Sequence, residues 1–272
     1  MRDSDRRRGG WMTEWKACLA ALQFLTRLPV RVSLDYTNDL FRRSAAYYPI
    51  AGLAVGLLVA GSAWLLGRVV PPAPASVLAL GVWVAATGAL HLDGLMDTAD
   101  GLLSHRSRER MLEIMKDSRV GAMGVVAGVL LLLLKFALLL TIVPAPDRWL
   151  GLLIAAPVWS RWFAVWAIAG WPYAREGQGL GALFAAVTRS EARTATVWAA
   201  AVSVAALLAC GFPWVAAVGY AVGFAALSGL LGYWLARSMA RKLGGLTGDT
   251  YGALIELLEC ALLLAAVAAG SR

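Results

Sequence analysis

Apolar residues in this chain come in long runs, and the polar residues gather between them. Seven runs reach or approach the eighteen or so residues that mark a bilayer crossing: about 45–70, 75–92, 120–143, 149–170, 194–210, 214–235 and 253–270. Tyr47, Tyr48 and Trp64 stand near the ends of the first, where aromatic side chains sit at membrane interfaces. Pro71-Pro-Ala-Pro74, Pro144-Ala-Pro-Asp-Arg148 and Gly211-Phe-Pro213 predict tight turns between neighbouring spans. Residues 14–28 are apolar but interrupted by Lys16 and Arg27 and stopped by Pro29, which predicts an interfacial helix on the membrane surface. Residues 1–13 are polar and Arg-rich and read as disordered, and 30–43 read as a polar connector. The longer polar segments are 93–119, 171–193 and 236–252, and no internal repeat is visible. The expected fold is all-α: a polytopic integral membrane bundle over 45–270, within a single domain of 272 residues.

Composition agrees. With 60% of residues hydrophobic and only 15% charged, an ordinary soluble domain is excluded. The three cysteines, Cys18, Cys210 and Cys260, have no metal-ligand spacing and read as buried thiols. No cleavable signal peptide is apparent. The net charge of +8 reads as membrane topology and not as nucleic-acid binding, because of where the cations lie. Nine of the 25 Lys and Arg precede the first span, five lie in 93–119, three in 171–193 and three in 236–242. The alternate turns hold only Arg68 and Arg148. The bias predicts a cytoplasmic amino terminus, an external carboxyl terminus and seven spans, with every long loop on the cytoplasmic face of the bacterial inner membrane. The chemistry is expected on that face.

The stretch with most chemistry is Ala89-Leu-His-Leu-Asp-Gly-Leu-Met-Asp-Thr-Ala-Asp-Gly101. Asp93, Asp97 and Asp100 fall at i, i+4 and i+7, within roughly 60° of one another on one helical face. Carboxylates this close repel unless neutralised, and Mg²⁺ with phosphate oxygens completing its shell is a common partner. The plain alternative is a solvated, acidic helix end. His91 lies on the opposite face by angle and reads as secondary, while His105 is a base in a loop the sequence does not place. Further on, Ser107 fits an N-cap with Glu109 in the first turn, and Lys116, Asp117 and Arg119 follow, a carboxylate between two cations suited to a metal-bound phosphate. Four charges fall inside spans: Lys135, Arg161, Glu256 and Glu259. Arg161 is the main functional candidate, and Glu256 reads as a ligand, direct or through another group. Lys135 pairs or snorkels, and Glu259, one turn deeper, is protonated or paired. Gly177-Gln-Gly-Leu-Gly181 and Gly244-Gly-Leu-Thr-Gly-Asp249 allow close backbone approach by a phosphate or a flat ligand, or are simply turns.

Taken together, His91-Leu-Asp-Gly-Leu-Met-Asp-Thr-Ala-Asp-Gly101, Met111-Leu-Glu-Ile-Met-Lys-Asp-Ser-Arg-Val-Gly121 and Gly244-Gly-Leu-Thr-Gly-Asp249 resemble the cobalamin synthase family. Phe24-Leu-Thr-Arg-Leu-Pro29 and Tyr48-Pro-Ile-Ala-Gly52 are similar to that family's opening. Met96 departs from it, where a small residue is expected, but points away from the carboxylate face. The resemblance implies a Mg²⁺-dependent membrane enzyme that joins adenosylcobinamide-GDP to α-ribazole or its 5′-phosphate and releases GMP. It further implies that Asp93, Asp97, Asp100 and Asp117 hold the metal and that Asp97 or Asp100 accepts the hydroxyl proton. Lys116, Arg119, Arg161, Arg175, Asp249 and Glu256 would bind phosphate or substrate, and the surrounding partner would be membrane lipid. The rival expectations are a lipid-type phosphoalcohol transferase and a cation transporter using the same carboxylates.

Overall fold

The computed structural model describes residues 3–175 and 186–270, with side chains from residue 13 onward. The chain forms α1 (Asp3–Leu25), α2 (Asn38–Ser44), a 3₁₀ turn (Ala45–Tyr47), α3 (Tyr48–Leu66), α4 (Pro72–Thr87), α5 (Leu90–Leu102) and α6 (Arg108–Ile114). It continues through α7 (Ala122–Ile142), α8 (Pro146–Gly170), α9 (Arg189–Ala209), α10 (Trp214–Leu243) and α11 (Gly248–Gly270). The described residues contain no strand beyond an isolated bridge between Tyr173 and Leu246. Among the described residues, six helical stretches are long and apolar enough to cross a membrane, and α4 with α5, bent by 87°, makes a seventh if taken as one span. The all-helical membrane bundle is therefore as expected.

The element boundaries differ from the expected ones for local reasons. The first helix starts at Asp3 and ends at Leu25, ahead of Pro29. The connector at 30–43 contains α2, whose N-cap Thr37 accepts a hydrogen bond from the Leu40 amide at 3.2 Å. Pro72 and Pro146 do not make turns but open α4 and α8, where a fixed φ suits the helix and no N–H is lost. Helix α10 runs for 30 residues, about 45 Å, and stops at Gly244, which takes φ +73°. The loop expected over 236–252 is thus reduced to 244–247. On the other side, Thr188 and Glu191 form a capping box that starts α9 inside the loop expected to end at 193.

Helix α8 is the axis of the bundle. Seventeen of its 25 residues are buried, against eight of the 30 in α10, whose Val215, Val222, Leu230 and Trp234 face outward as lipid-facing residues do. Gly52 and Gly56, one turn apart on α3, press on the backbone of Pro157 and Ile154; a Cβ at either would lie within 2.6 Å of a carbonyl oxygen. This is the small-residue contact that lets membrane helices approach closely. At one end of the bundle the end of α1, the start of α3, the α4–α5 break, the last turns of α8 and the start of α11 converge. The acidic stretch lies there.

Candidate active site

Helix α5 is set apart by its beginning. Gly88 and Ala89 both take left-handed backbone (φ +61° and +58°), which ends α4 and redirects the chain by 87°. Left-handed geometry at an alanine is strained, so the surroundings hold it. The Arg27 amide donates to the Ala86 carbonyl at 2.8 Å and ties the end of α1 to this corner. At 13 residues, about 20 Å, α5 is too short to cross on its own. It packs instead on the start of α11: a Cβ on Gly94 would meet the Asp249 carbonyl at 2.7 Å, and Gly252 faces His91.

That contact gathers the carboxylates. Asp93 is exposed, Asp97 and Asp100 are half-buried, and Asp249 arrives from the far end of the sequence. Asp97, in the polar turns beyond the α4 break, has its pKa pushed up to about 7. Desolvation is the largest cause, followed by the charges of Asp93, Asp249 and Asp100, with Arg175 opposing them. Arg175 donates to Asp249 at 2.8 Å and to the Met115 carbonyl at 3.4 Å. It is held there by the bridge of its loop to residues 244–247, where Ala174 donates to Leu246 at 2.7 Å and Leu246 to Pro172 at 2.9 Å.

Asp100 is already engaged. Its two oxygens accept the amides of Gly121 and Gly124, each at 2.7 Å, and so cap the start of α7. A Cβ at either glycine would strike this carboxylate. Ser107 caps α6 as expected, and Met115 packs on Gly101. The segment between Met115 and Gly121 is thereby pinned over the end of α5. It carries Lys116, Asp117 and Arg119, all exposed. Arg119 grips Asp117 at 2.7 and 3.0 Å and holds its pKa down to about 2. Asp117 is therefore engaged by Arg119. As the side chains stand, no three acidic, His or Cys groups among the described residues are drawn together tightly enough to hold a metal ion.

The charges inside the spans pair with one another, and the structure places Arg161, expected at phosphate, and Glu256, expected as a ligand, in this buried set. Lys135 Nζ sits 2.7 Å from both Glu256 and Glu259 and 4.0 Å from the centre of the Trp83 ring. Arg161 pairs with Glu259, donates to the Pro157 carbonyl at 3.1 Å and approaches His91 Nδ1 at 3.5 Å. All four are at most 4% exposed. Two cations and two anions buried together balance in charge, while Arg161 Nε is left without a hydrogen-bond partner. The sequence carries the signal for this set: Glu256 and Glu259 are three residues apart, and each cation lies within a span. The stretch Gly177–Gly181, expected to allow close backbone approach by a ligand, lies outside the described residues.

The family model for cobalamin-5-phosphate synthase matches residues 17–267 of the chain. A curated relative named adenosylcobinamide-GDP ribazoletransferase from Roseiflexus sp. (strain RS-1) is 40% identical, the match covering 94% of this chain and 91% of the relative. Proteins of the same name from Brevibacillus brevis (41%; 92% and 97%) and Pseudomonas entomophila (43%; 90% and 95%) match over similar lengths. No solved structure matches. With a family match over nearly its whole length, carboxylates gathered at one end of a helical membrane bundle, and relatives of one name, the chain belongs to the cobalamin-5-phosphate synthase family.

Proposed function

We propose that this chain joins adenosylcobinamide-GDP to α-ribazole or its 5′-phosphate and releases GMP, the assembly step of the nucleotide loop of cobalamin. The family match over residues 17–267 carries this reading, and the local chemistry supports it. Asp97 lies in the field of Asp93, Asp249 and Asp100, opposed by Arg175, and oxygen donors with surplus negative charge suit a hard divalent cation once their side chains close on it. Asp93, Asp97, Asp100 and Asp117 would hold Mg²⁺, with Asp249 beside them. Bound there, Mg²⁺ would offset phosphate charge.

The protein's own groups act around that centre. A ribose hydroxyl oxygen of α-ribazole forms a bond to the phosphorus nearer the corrinoid, the bond from that phosphorus to GMP breaks, and GMP leaves with the electron pair. Asp97 accepts the hydroxyl proton. Asp100 is less suited, because both its oxygens already hold amides of α7. Lys116 and Arg119, exposed on the segment pinned over α5, meet the diphosphate. Arg175 orients Asp249 and closes the floor beside it. The site faces the cytoplasm of a bacterial inner membrane and the amino terminus is cytoplasmic, as the distribution of Lys and Arg supports. Membrane lipid surrounds the bundle. An ion-path reading is not favoured, because the charges at membrane depth are paired with one another.

The test is product formation by purified protein in liposomes with Mg²⁺, adenosylcobinamide-GDP and α-ribazole 5′-phosphate. GMP and a cobalamin phosphate are expected in equal amounts, lost in Asp97→Asn and after metal removal. Folded protein that makes neither product overturns the reading.

A further inference from the structure

Beside the carboxylates lies a cavity of about 150 Å³, closed on several sides by helix ends. Its apolar wall comes from Phe24 of α1, Tyr48 of α3, Ala164 and Ile168 of α8, and Ile255 of α11. Phe24 and Tyr48 stack with ring centres 6.2 Å apart and planes 24° apart, giving a flat aromatic side. Asp93 and Asp249 stand at the cavity, so whatever fills it ends at the reaction centre. A mostly apolar space of this size takes roughly one benzene-sized aromatic ring.

Two buried polar groups lining this space lack a partner: the Tyr48 hydroxyl, which can donate or accept, and His91 Nε2. His91 is 2% exposed, and its Nε2 makes no hydrogen bond. Its Nδ1 faces the Arg161 guanidinium at 3.5 Å. A guanidinium only donates, so Nδ1 accepts and the ring proton sits on Nε2. The result is a buried N–H without an acceptor, an arrangement that costs stability unless a ligand supplies one. The ligand chemistry follows: a flat, mostly apolar base with one in-plane nitrogen lone pair. Dimethylbenzimidazole, the base of α-ribazole, has that form, with one unsubstituted ring nitrogen on a methylated bicycle. Asp93 and Asp249 could accept from the donors of guanine, but its remaining polar edges would lie unpaired against the apolar wall.

We propose that this cavity receives the benzimidazole base of the ribazole acceptor, that His91 donates to its free ring nitrogen, and that residues 164 and 168 set the size of base admitted. The proposal rests on the function proposed above and names the place of one substrate within it. Seated there, the base directs its ribose toward Asp93, Asp97 and Asp249.

Two measurements separate the proposal from the reading it rests on. The first is calorimetric binding of α-ribazole to protein in detergent, which needs no turnover. The second is steady-state kinetics with each substrate varied in turn. Ala164→Leu fills the cavity, and His91→Phe removes the donor while keeping a ring. Each is expected to weaken α-ribazole binding and raise its KM by roughly tenfold or more, with the KM for adenosylcobinamide-GDP unchanged. Ile168→Ala enlarges the cavity and is safer for folding. It is expected to admit the nucleoside of a tricyclic naphthimidazole that wild type rejects. A rise in the donor's KM instead assigns the cavity to guanine and overturns the proposal. If neither constant moves in folded variants, the cavity is lipid-filled or structural, and the proposal is likewise overturned. α-Ribazole binding that Ala164→Leu abolishes, in a protein that never forms product, keeps the cavity and discards the reaction.

Discussion

Two groups of charges lie within a few helical turns of each other and have opposite balances. Lys135, Arg161, Glu256 and Glu259 are buried between α7, α8 and α11 and cancel, two against two. Asp93, Asp97, Asp100 and Asp249 sit where α5 crosses the start of α11, with Arg175 as the cation bonded among them. In the first group the protein itself neutralises every charge, so the interactions organise the bundle. In the second it leaves negative charge over, and that surplus is what a cation or a cationic face of a substrate would answer. The comparison teaches that depth alone does not mark a functional charge. What marks it is the charge left unmatched.

The strongest way to break this comparison is Asp97→Asn, which keeps the shape and removes the charge. GMP release is expected to fall by about 10²–10⁴-fold, with the thermal unfolding midpoint in detergent unchanged or raised. A large loss of stability would place Asp97 with the structural group. The reverse is expected of Glu256→Gln, which strips Lys135 of one of its two partners. Breaking such a buried pair costs about 3–5 kcal/mol, and pairing the change with Lys135→Met should restore most of it. A double-mutant cycle of unfolding in detergent measures this, and additive losses would show that the two residues do not act as a unit.

Asp100 sharpens the boundary, since it belongs to the acidic group but caps α7. Asp100→Ala should cost about 1–2 kcal/mol of stability, and Asp100→Asn, which keeps one acceptor in the same place, should regain part of it. Equal stability of the alanine and asparagine variants would remove the capping role. The smallest effect concerns pH. Folding raises the pKa of Asp97 from its ordinary 3.8 to about 7, so between these values the folded state binds more protons than the unfolded one. In metal-free protein its contribution to stability is full below about pH 4 and declines as pH rises through 7. Asp97→Asn should flatten that slope, and a slope unchanged by the substitution would show that another group causes it.

Much of this was legible along the chain. The apolar runs located the spans, because a bilayer demands length and hydrophobicity from each helix separately. The i, i+4, i+7 spacing located Asp93, Asp97 and Asp100, and the Ser107 cap followed from local chemistry. Helix ends were less legible. Pro72 and Pro146 look like turns but start helices, and the 87° break at Gly88 and Ala89 has no sequence mark beyond a single glycine. Arg161 reads in the sequence as an isolated charge in a span, because its partner, Glu259, is 98 residues away.

The sequence by itself determined the class of the molecule, its crossings and the acidic helix, since each depends on residues that are neighbours in the chain. Tertiary structure alone decided which charges remain available. It assigned Arg161 to Glu259 and Asp100 to the amides of Gly121 and Gly124, and it brought Asp249 and Arg175 to Asp97. The reason is that a charge takes its role from the counter-charge or donor within a few ångströms, and in a helical bundle those neighbours come from distant parts of the sequence.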